Sequence, residues 1–170
     1  MTMKKSIILA IVASVFAIGA SAQNYAVVNT QKVYQSIKAY GEAVAEIDAL
    51  ATSYQENIDE AYKKVEEMYQ NYMIAKSALS FEEQQAEEQN IISNEQKITT
   101  YQQNVFGAEG VITKKQEEML RPFHEKVAKS ISDYATQMGY DMVIDIATTA
   151  LPYYSTKIDI TEQIIKIVNQ

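Results

Sequence analysis

Residues 33–79 read VYQSIKAYGEAVAEIDALATSYQENIDEAYKKVEEMYQNYMIAKSAL, and one row of side chains runs through the whole stretch. Val33, Ile37, Tyr40, Val44, Ile47, Ala51, Tyr54, Ile58, Ala61, Val65, Met68, Tyr72, Ala75 and Leu79 follow one another at alternating steps of four and three. That spacing averages about 3.5 residues, the period of a helix that keeps one apolar stripe against a neighbouring helix. The pattern predicts a helix from about Thr30 to Leu79. At 1.5 Å per residue it would be roughly 70 Å long, more than the diameter of a compact domain of this size, so it is expected to project.

The stretch that follows supplies the partner. Ser80-Phe81-Glu82-Glu83 fits the S-x-x-E capping box, which predicts the tip of a hairpin near residues 79–80 and a new helix start. Beyond it Ile91, Ile98, Val105, Ile112 and Met119 recur every seven residues, then the steps lengthen through Phe123, Val127 and Ile131. Pro122 falls at that change of period and is expected to mark the joint where the return helix leaves the shaft. Gly139 suits a helix C-terminal cap.

The ends of the chain read differently. Tyr25 to Asn29 and Tyr140 to Asp145 are strand candidates, with Leu151 to Ser155 as a weaker edge strand containing Pro152. Asp159-Ile160-Thr161-Glu162 looks like a second capping box opening a short helix. The expected fold class is therefore α+β, mostly α: a long antiparallel coiled-coil hairpin, residues 31–138, on a small β-sheet body made of residues 23–30 and 139–170. Val27, Val28, Val143, Ile144, Ile164 and Ile167 are the expected core of that body and the expected site of oligomerisation.

Lys4 and Lys5, the apolar run from Ile7 to Ile18 and Ala20-Ser21-Ala22 have the layout of a secretory signal peptide, residues 1–22, cut before Gln23. The run is about a dozen residues, short of the roughly 20 that span a bilayer. With no cysteine in the chain, disulfides, thiolate metal sites and a lipidated cysteine are all excluded. The net charge is −7, or −9 once Lys4 and Lys5 leave with the signal, which argues against non-specific nucleic-acid binding.

Nothing in the chain converges on catalysis. His124 is the only histidine and has no partner at metal or catalytic spacing, and adjacent carboxylates such as Glu82-Glu83, Glu87-Glu88 and Glu117-Glu118 point about 100° apart on a helix, which makes them poor chelates. No phosphate loop is present. No enzyme activity, catalytic residue, cofactor or metal is expected. Apolar residues one step off the seam carry a different expectation: Tyr62, Tyr69 and Met73 share one helix face, Ile92 and Phe106 share another, and such surplus side chains suit promiscuous contact with client chains. Ala49, Ala51 and Ser53 are expected opposite Gly107, Ala108 and Gly110, where thin side-chain contact and the helix cost of Gly107 and Gly110 would make a hinge.

Tyr25-Ala26-Val27-Val28-Asn29-Thr30-Gln31-Lys32-Val33, Gly139-Tyr140-Asp141-Met142-Val143-Ile144-Asp145 and Asp159-Ile160-Thr161-Glu162, flanking the heptad hairpin, resemble the Skp/OmpH family of periplasmic chaperones across the mature chain. The resemblance implies a homotrimer whose arms enclose a cavity, holding unfolded outer-membrane β-barrel and other envelope proteins without ATP, in the periplasm and with no permanent membrane anchor. The alternative is a structural coiled-coil spacer or adaptor in the envelope with one folded partner. The chain departs from the family in charge: residues 54–101 hold 4 basic and 10 acidic side chains, so contact with lipopolysaccharide through basic arms does not carry over.

Overall fold

The computed structural model describes residues 23–170, so the expected signal peptide lies outside the described residues. The elements in order are β1 (Tyr25–Val28), α1 (Thr30–Ser36), α2 (Lys38–Ala75), a 3-10 turn (Lys76–Ala78), α3 (Phe81–Phe106), α4 (Val111–Met138), β2 (Met142–Asp145), a 3-10 turn (Thr156–Ile158) and α5 (Thr161–Val168). Among the described residues no helix is long and apolar enough to cross a membrane.

The two strands pair in parallel, Tyr25 opposite Met142 and Val28 opposite Asp145. Parallel neighbours require a crossover, and here the whole run of long helices is that crossover. The other edge of β1 is met by Asp159, with Ile160 N–H donating to the Val27 carbonyl at 2.9 Å. Leu151 to Ser155 therefore form no strand: the position beside β1 is taken by Asp159 and Ile160 instead.

Two helices expected to be continuous are broken. Ile37 adopts extended backbone, φ −92° and ψ 105°, ending α1 and starting α2. A β-branched side chain tolerates that conformation well, and it turns Ile37 into the basal core, where it is 8 % exposed. Ser36 reinforces the stop by donating its hydroxyl to the Val33 carbonyl at 2.7 Å. The return arm breaks between Phe106 and Val111. Gly107 and Gly110 both have φ values open to any residue, so their requirement is one of space. A Cβ on Gly110 would lie 2.7 Å from the Val105 carbonyl carbon and 2.9 Å from the Gly107 nitrogen, and one on Gly107 would collide with the Gln103 carbonyl oxygen.

Pro122, by contrast, does not interrupt its helix. It is exposed within α4, and so is Glu118, the residue whose carbonyl it leaves without a donor. Gly139 caps α4 in left-handed backbone, φ 69°. The Asp159-to-Glu162 box is also not formed as drawn: Asp159 accepts from Thr161 N–H at 2.9 Å, two residues on, and α5 starts from Ile160 with no side-chain cap.

Three apolar clusters follow one another along the molecule. The basal one holds Ala26, Val28, Val33, Ile37, Val127, Ile160, Ile164 and Val168, with Tyr34, Tyr40, Phe123, Ile131 and Tyr134 among the partly buried residues against it. It thus draws on helical residues well inside 31–138. The middle cluster joins Ile47, Val105 and Ile112, with Leu50, Ala51, Tyr54, Met119 and Leu120 packed around them. Beside the glycines the backbone is broken, with Ala49, Ser53 and Ala108 exposed and Ala51 partly buried, while Ile47 and Val105 close to the break are each only 2 % exposed. The distal cluster joins Ile58, Val65 and Tyr72 of α2 to Ile91 and Ile98 of α3.

Of the six residues expected in the basal core, Val27, Val28 and Ile164 are at most 2 % exposed, and Val143 and Ile144 are partly buried. Ile167 is the exception at 36 %. The buried stripe of α5 is Thr161, Ile164 and Val168, and at 3.6 residues per turn Ile167 falls about a quarter turn away from it.

Side-chain hydrogen bonds lock the base. Asn29 caps α1 by accepting from Lys32 N–H at 3.0 Å, and its own N–H donates to the Thr161 hydroxyl at 2.9 Å. Asp145, at the end of β2, accepts from the Thr30 hydroxyl at 2.6 Å, the Thr30 N–H at 3.2 Å and the Ala147 N–H at 2.9 Å. Partial burial pushes the Asp145 carboxyl upward, but these three donors together outweigh it and hold it below its ordinary value.

Candidate functional site

The distal region is built by the turn that joins α2 to α3. Ser80 accepts from Glu83 N–H at 3.3 Å while the Glu83 carboxylate accepts from Ser80 N–H at 2.8 Å, so the expected capping box is formed. Those bonds, from the Ser80 backbone first and its side chain second, hold the Glu83 carboxyl below its ordinary value. Gln84 closes the turn from inside, donating to the carbonyls of Lys76 and Leu79 at 3.0 and 3.1 Å.

With the turn fixed, α2 and α3 lie side by side in opposite directions. Tyr72 reaches Glu88 near the tip, whereas Tyr54 meets Tyr101 with the rings tilted, centroids 6.3 Å apart, further down. Between two helices only a narrow stripe can be covered. Ile58, Val65, Tyr72, Ile91 and Ile98 occupy it at 1–7 % exposure, while Tyr62, Tyr69, Met73, Ile92 and Phe106 are 37–49 % exposed. The five residues singled out in the sequence thus stand outside the seam.

Tyr69, Met73 and Ile92 come together. They line an open groove of about 340 Å³ beside the seam, with Tyr72 and Ile91 at its floor and Lys76, Glu88 and Glu95 around it. Tyr62 and Phe106 do not line this groove. The groove's polar side is organised by Glu88, which accepts from the Tyr72 hydroxyl and, at 3.3 Å, from Lys76. The Lys76 ammonium also sits 5.0 Å from the centre of the Tyr72 ring. Those hydrogen bonds, Tyr72 first and Lys76 second, keep the Glu88 carboxyl below its ordinary value and therefore ionised at neutral pH.

Sequence reasoning passed over two of the most exposed apolar residues: Ile74 at 81 % and Phe81 at 75 %. Both flank the tip. The off-seam rule that found Tyr69 would have found Ile74, which falls between the seam positions Tyr72 and Ala75; Phe81 was hidden by its place inside the capping motif. His124 is also better defined than a plain helix-face residue. It meets Tyr34 edge-on, ring centroids 5.2 Å apart, beside Tyr40 and Phe123 where α1 and α2 meet α4. Its neighbours are aromatic. Among the described residues no cluster of histidines and carboxylates is arranged to hold a metal ion.

A small parallel sheet carrying a long, antiparallel helix pair with an apolar groove outside its seam defines a mostly helical α+β protein. The chain belongs to the OmpH-like outer membrane protein family, whose family model matches residues 24–168. No curated protein matches the chain significantly. Among solved structures, the chain is similar to a crystal structure provisionally described as an OmpH-like outer membrane chaperone from Caulobacter crescentus CB15. The TM-score is 0.64 at 8 % sequence identity, over 89 % of this chain and 86 % of that one, a likeness of fold rather than of sequence.

Proposed function

We propose that the chain is an ATP-independent holdase chaperone of the periplasm, which binds unfolded outer-membrane and other envelope proteins in a cavity between the helical arms of a homotrimer. The observation that carries this reading is the convergence of Tyr69, Met73 and Ile92 on one open groove outside the seam, in a chain of the OmpH-like family. Aromatic and methionine side chains offer a large contact area and, in methionine, a shape that adapts to many partners. An unfolded client presents scattered apolar segments of no fixed shape, which such a surface suits. A groove of this kind is shallow, so single contacts are weak, and several arms acting together raise the effective concentration of binding sites.

Association of three copies would cover apolar groups that the single chain leaves at its base: Tyr25 at 38 %, Met142 at 54 % and Ile167 at 36 % exposure. Tyr25 and Met142 are register partners across β1 and β2, so one surface of the base carries both. The chain has the layout of a signal peptide at residues 1–22, in keeping with export.

The test is dilution of a urea-denatured outer-membrane β-barrel protein into buffer with and without the mature protein, followed by light scattering without nucleotide and by native mass measurement. Suppressed scattering together with a complex of three chains and one client is the expected result. Unchanged scattering at a threefold molar excess of chains overturns the reading. A single stoichiometric folded partner, with no effect on denatured clients, would instead establish the adaptor role.

A further inference from the structure

We propose that the distal groove selects client segments that carry a lysine or arginine among apolar residues, a preference that rests on the holdase reading and narrows its substrate class. The molecule contains its own small-scale example of the contact. Lys76 places its ammonium 5.0 Å from the Tyr72 ring centre while donating to Glu88 at 3.3 Å, so one cation is satisfied by a tyrosine face and a carboxylate at once.

Glu95 lies seven residues after Glu88, on the same face of α3, and lines the same groove as Tyr69, Met73 and Ile92. Among the described residues no side chain of this chain pairs with its carboxylate, whereas Glu88 is held by both Tyr72 and Lys76. Tyr69 is 45 % exposed and supplies the second aromatic face. A long basic side chain entering the groove would lay its methylenes on Met73 and Ile92 and bring its charge to Glu95.

The wider field favours the same occupant. Residues 54–101 hold 4 basic and 10 acidic side chains, which attracts cationic segments and repels acidic ones over about a Debye length, roughly 8 Å at physiological salt. At about 340 Å³ the groove is at the small end of ligand pockets, roughly 300–1,000 Å³, and admits one or two side chains rather than a folded surface.

Three extended peptides of equal length and apolar content, differing only in a central Arg, Gln or Glu, distinguish the outcomes when titrated against the full mature protein by fluorescence anisotropy. The Arg peptide is expected to bind roughly fivefold tighter than the Gln peptide, the scale of one favourable exposed ion pair, and the Glu peptide weaker again. The spread should shrink at 0.5 M salt. Glu95→Gln should remove most of the preference for Arg, and Glu95→Lys should reverse it. Equal binding of all three peptides overturns the selectivity and leaves the holdase reading standing. A preference for Arg that survives both Glu95 variants overturns the assignment to this groove. Failure of all three peptides to bind, with no protection of a denatured client, overturns both.

Discussion

The base and the distal part of the molecule use similar side chains to opposite ends. At the base, strands and helices from both chain ends surround Ala26, Val28, Val33, Ile160 and Ile164, each at most 2 % exposed. In the distal part only α2 and α3 are present, and the buried set shrinks to a single row around Ile58, Val65 and Ile91. A core closed from several directions can cover side chains on a wide arc. A pair of helices covers one stripe, and an apolar residue one position off it stays in water. The two regions therefore differ in geometry more than in composition: Tyr69 and Met73 would have been core residues had a third helix of the same chain lain against them.

Ile164 separates the two regions most clearly. Ile164→Ala should cost about 2–5 kcal/mol, the range for truncating a fully buried aliphatic side chain, read as a lower urea midpoint. A comparable loss from Ile92→Ala would erase the distinction between the regions. In the middle, Gly110→Ala forces a methyl group against the Val105 carbonyl and the Gly107 nitrogen. It should cost about 1–3 kcal/mol by strain, with faster amide exchange confined to residues near the break. We propose that this break lets the distal part swing. Spin labels on α2 of each arm should then report a broad distance distribution in the parent protein and a changed one in the variant; an unaltered distribution would remove the hinge.

The exposed distal set should matter to clients and hardly at all to folding. Changing Tyr62, Tyr69 and Met73 together to Ser is expected to weaken client binding about tenfold, or about 1.4 kcal/mol, with helicity by circular dichroism and the native mass unchanged. Undiminished suppression of aggregation would show that these side chains merely decorate the seam. The smallest effect belongs to the basal clasp. Asp145→Asn should lower stability by about 1 kcal/mol at pH 7. Because the folded-state carboxyl is held below its ordinary value, its stabilisation is present above the unfolded value of about 3.9 and is lost as the pH falls through the folded value. Urea midpoints of the two proteins should therefore converge as the pH falls below the folded-state value, and a constant gap would point to a cause other than ionisation.

Much of this was legible from periodicity, and the misses share a cause. The row from Val33 to Leu79 announces that these residues meet a neighbour, but says nothing of the backbone between them. Ile37 keeps its place in the row while leaving the helix, because the row is satisfied by burial in the basal core as well as by the seam. The same holds across Gly107 and Gly110, where Val105 and Ile112 stay together in one cluster on either side of the break. Leu151 to Ser155 has strand-like composition, yet the edge it would have joined is claimed by Asp159, which no local pattern reveals. In the site, single-residue offsets from the seam found Tyr69, Met73 and Ile92. That they form one groove with Glu88 and Glu95 depends on the stagger of α3 against α2, which is set by the turn.

The pairing of β1 with β2 has a bearing on the order in which the chain can assemble. Asn24 N–H donates to the carboxylate of Asp141, 117 positions further along the chain, so the base can close only after nearly all of the polypeptide is available. The contacts of α2 with α3 around the tip, such as Tyr72 with Glu88 sixteen positions on, need no such wait. Local contacts form early and distant ones late, since closing a long loop costs chain entropy before anything is gained. A chain emerging N-terminus first, from a ribosome or a membrane pore, can therefore have its distal helices in place while its base is still open. Closure of the base then has a built-in delay, which lasts until the C-terminal residues arrive.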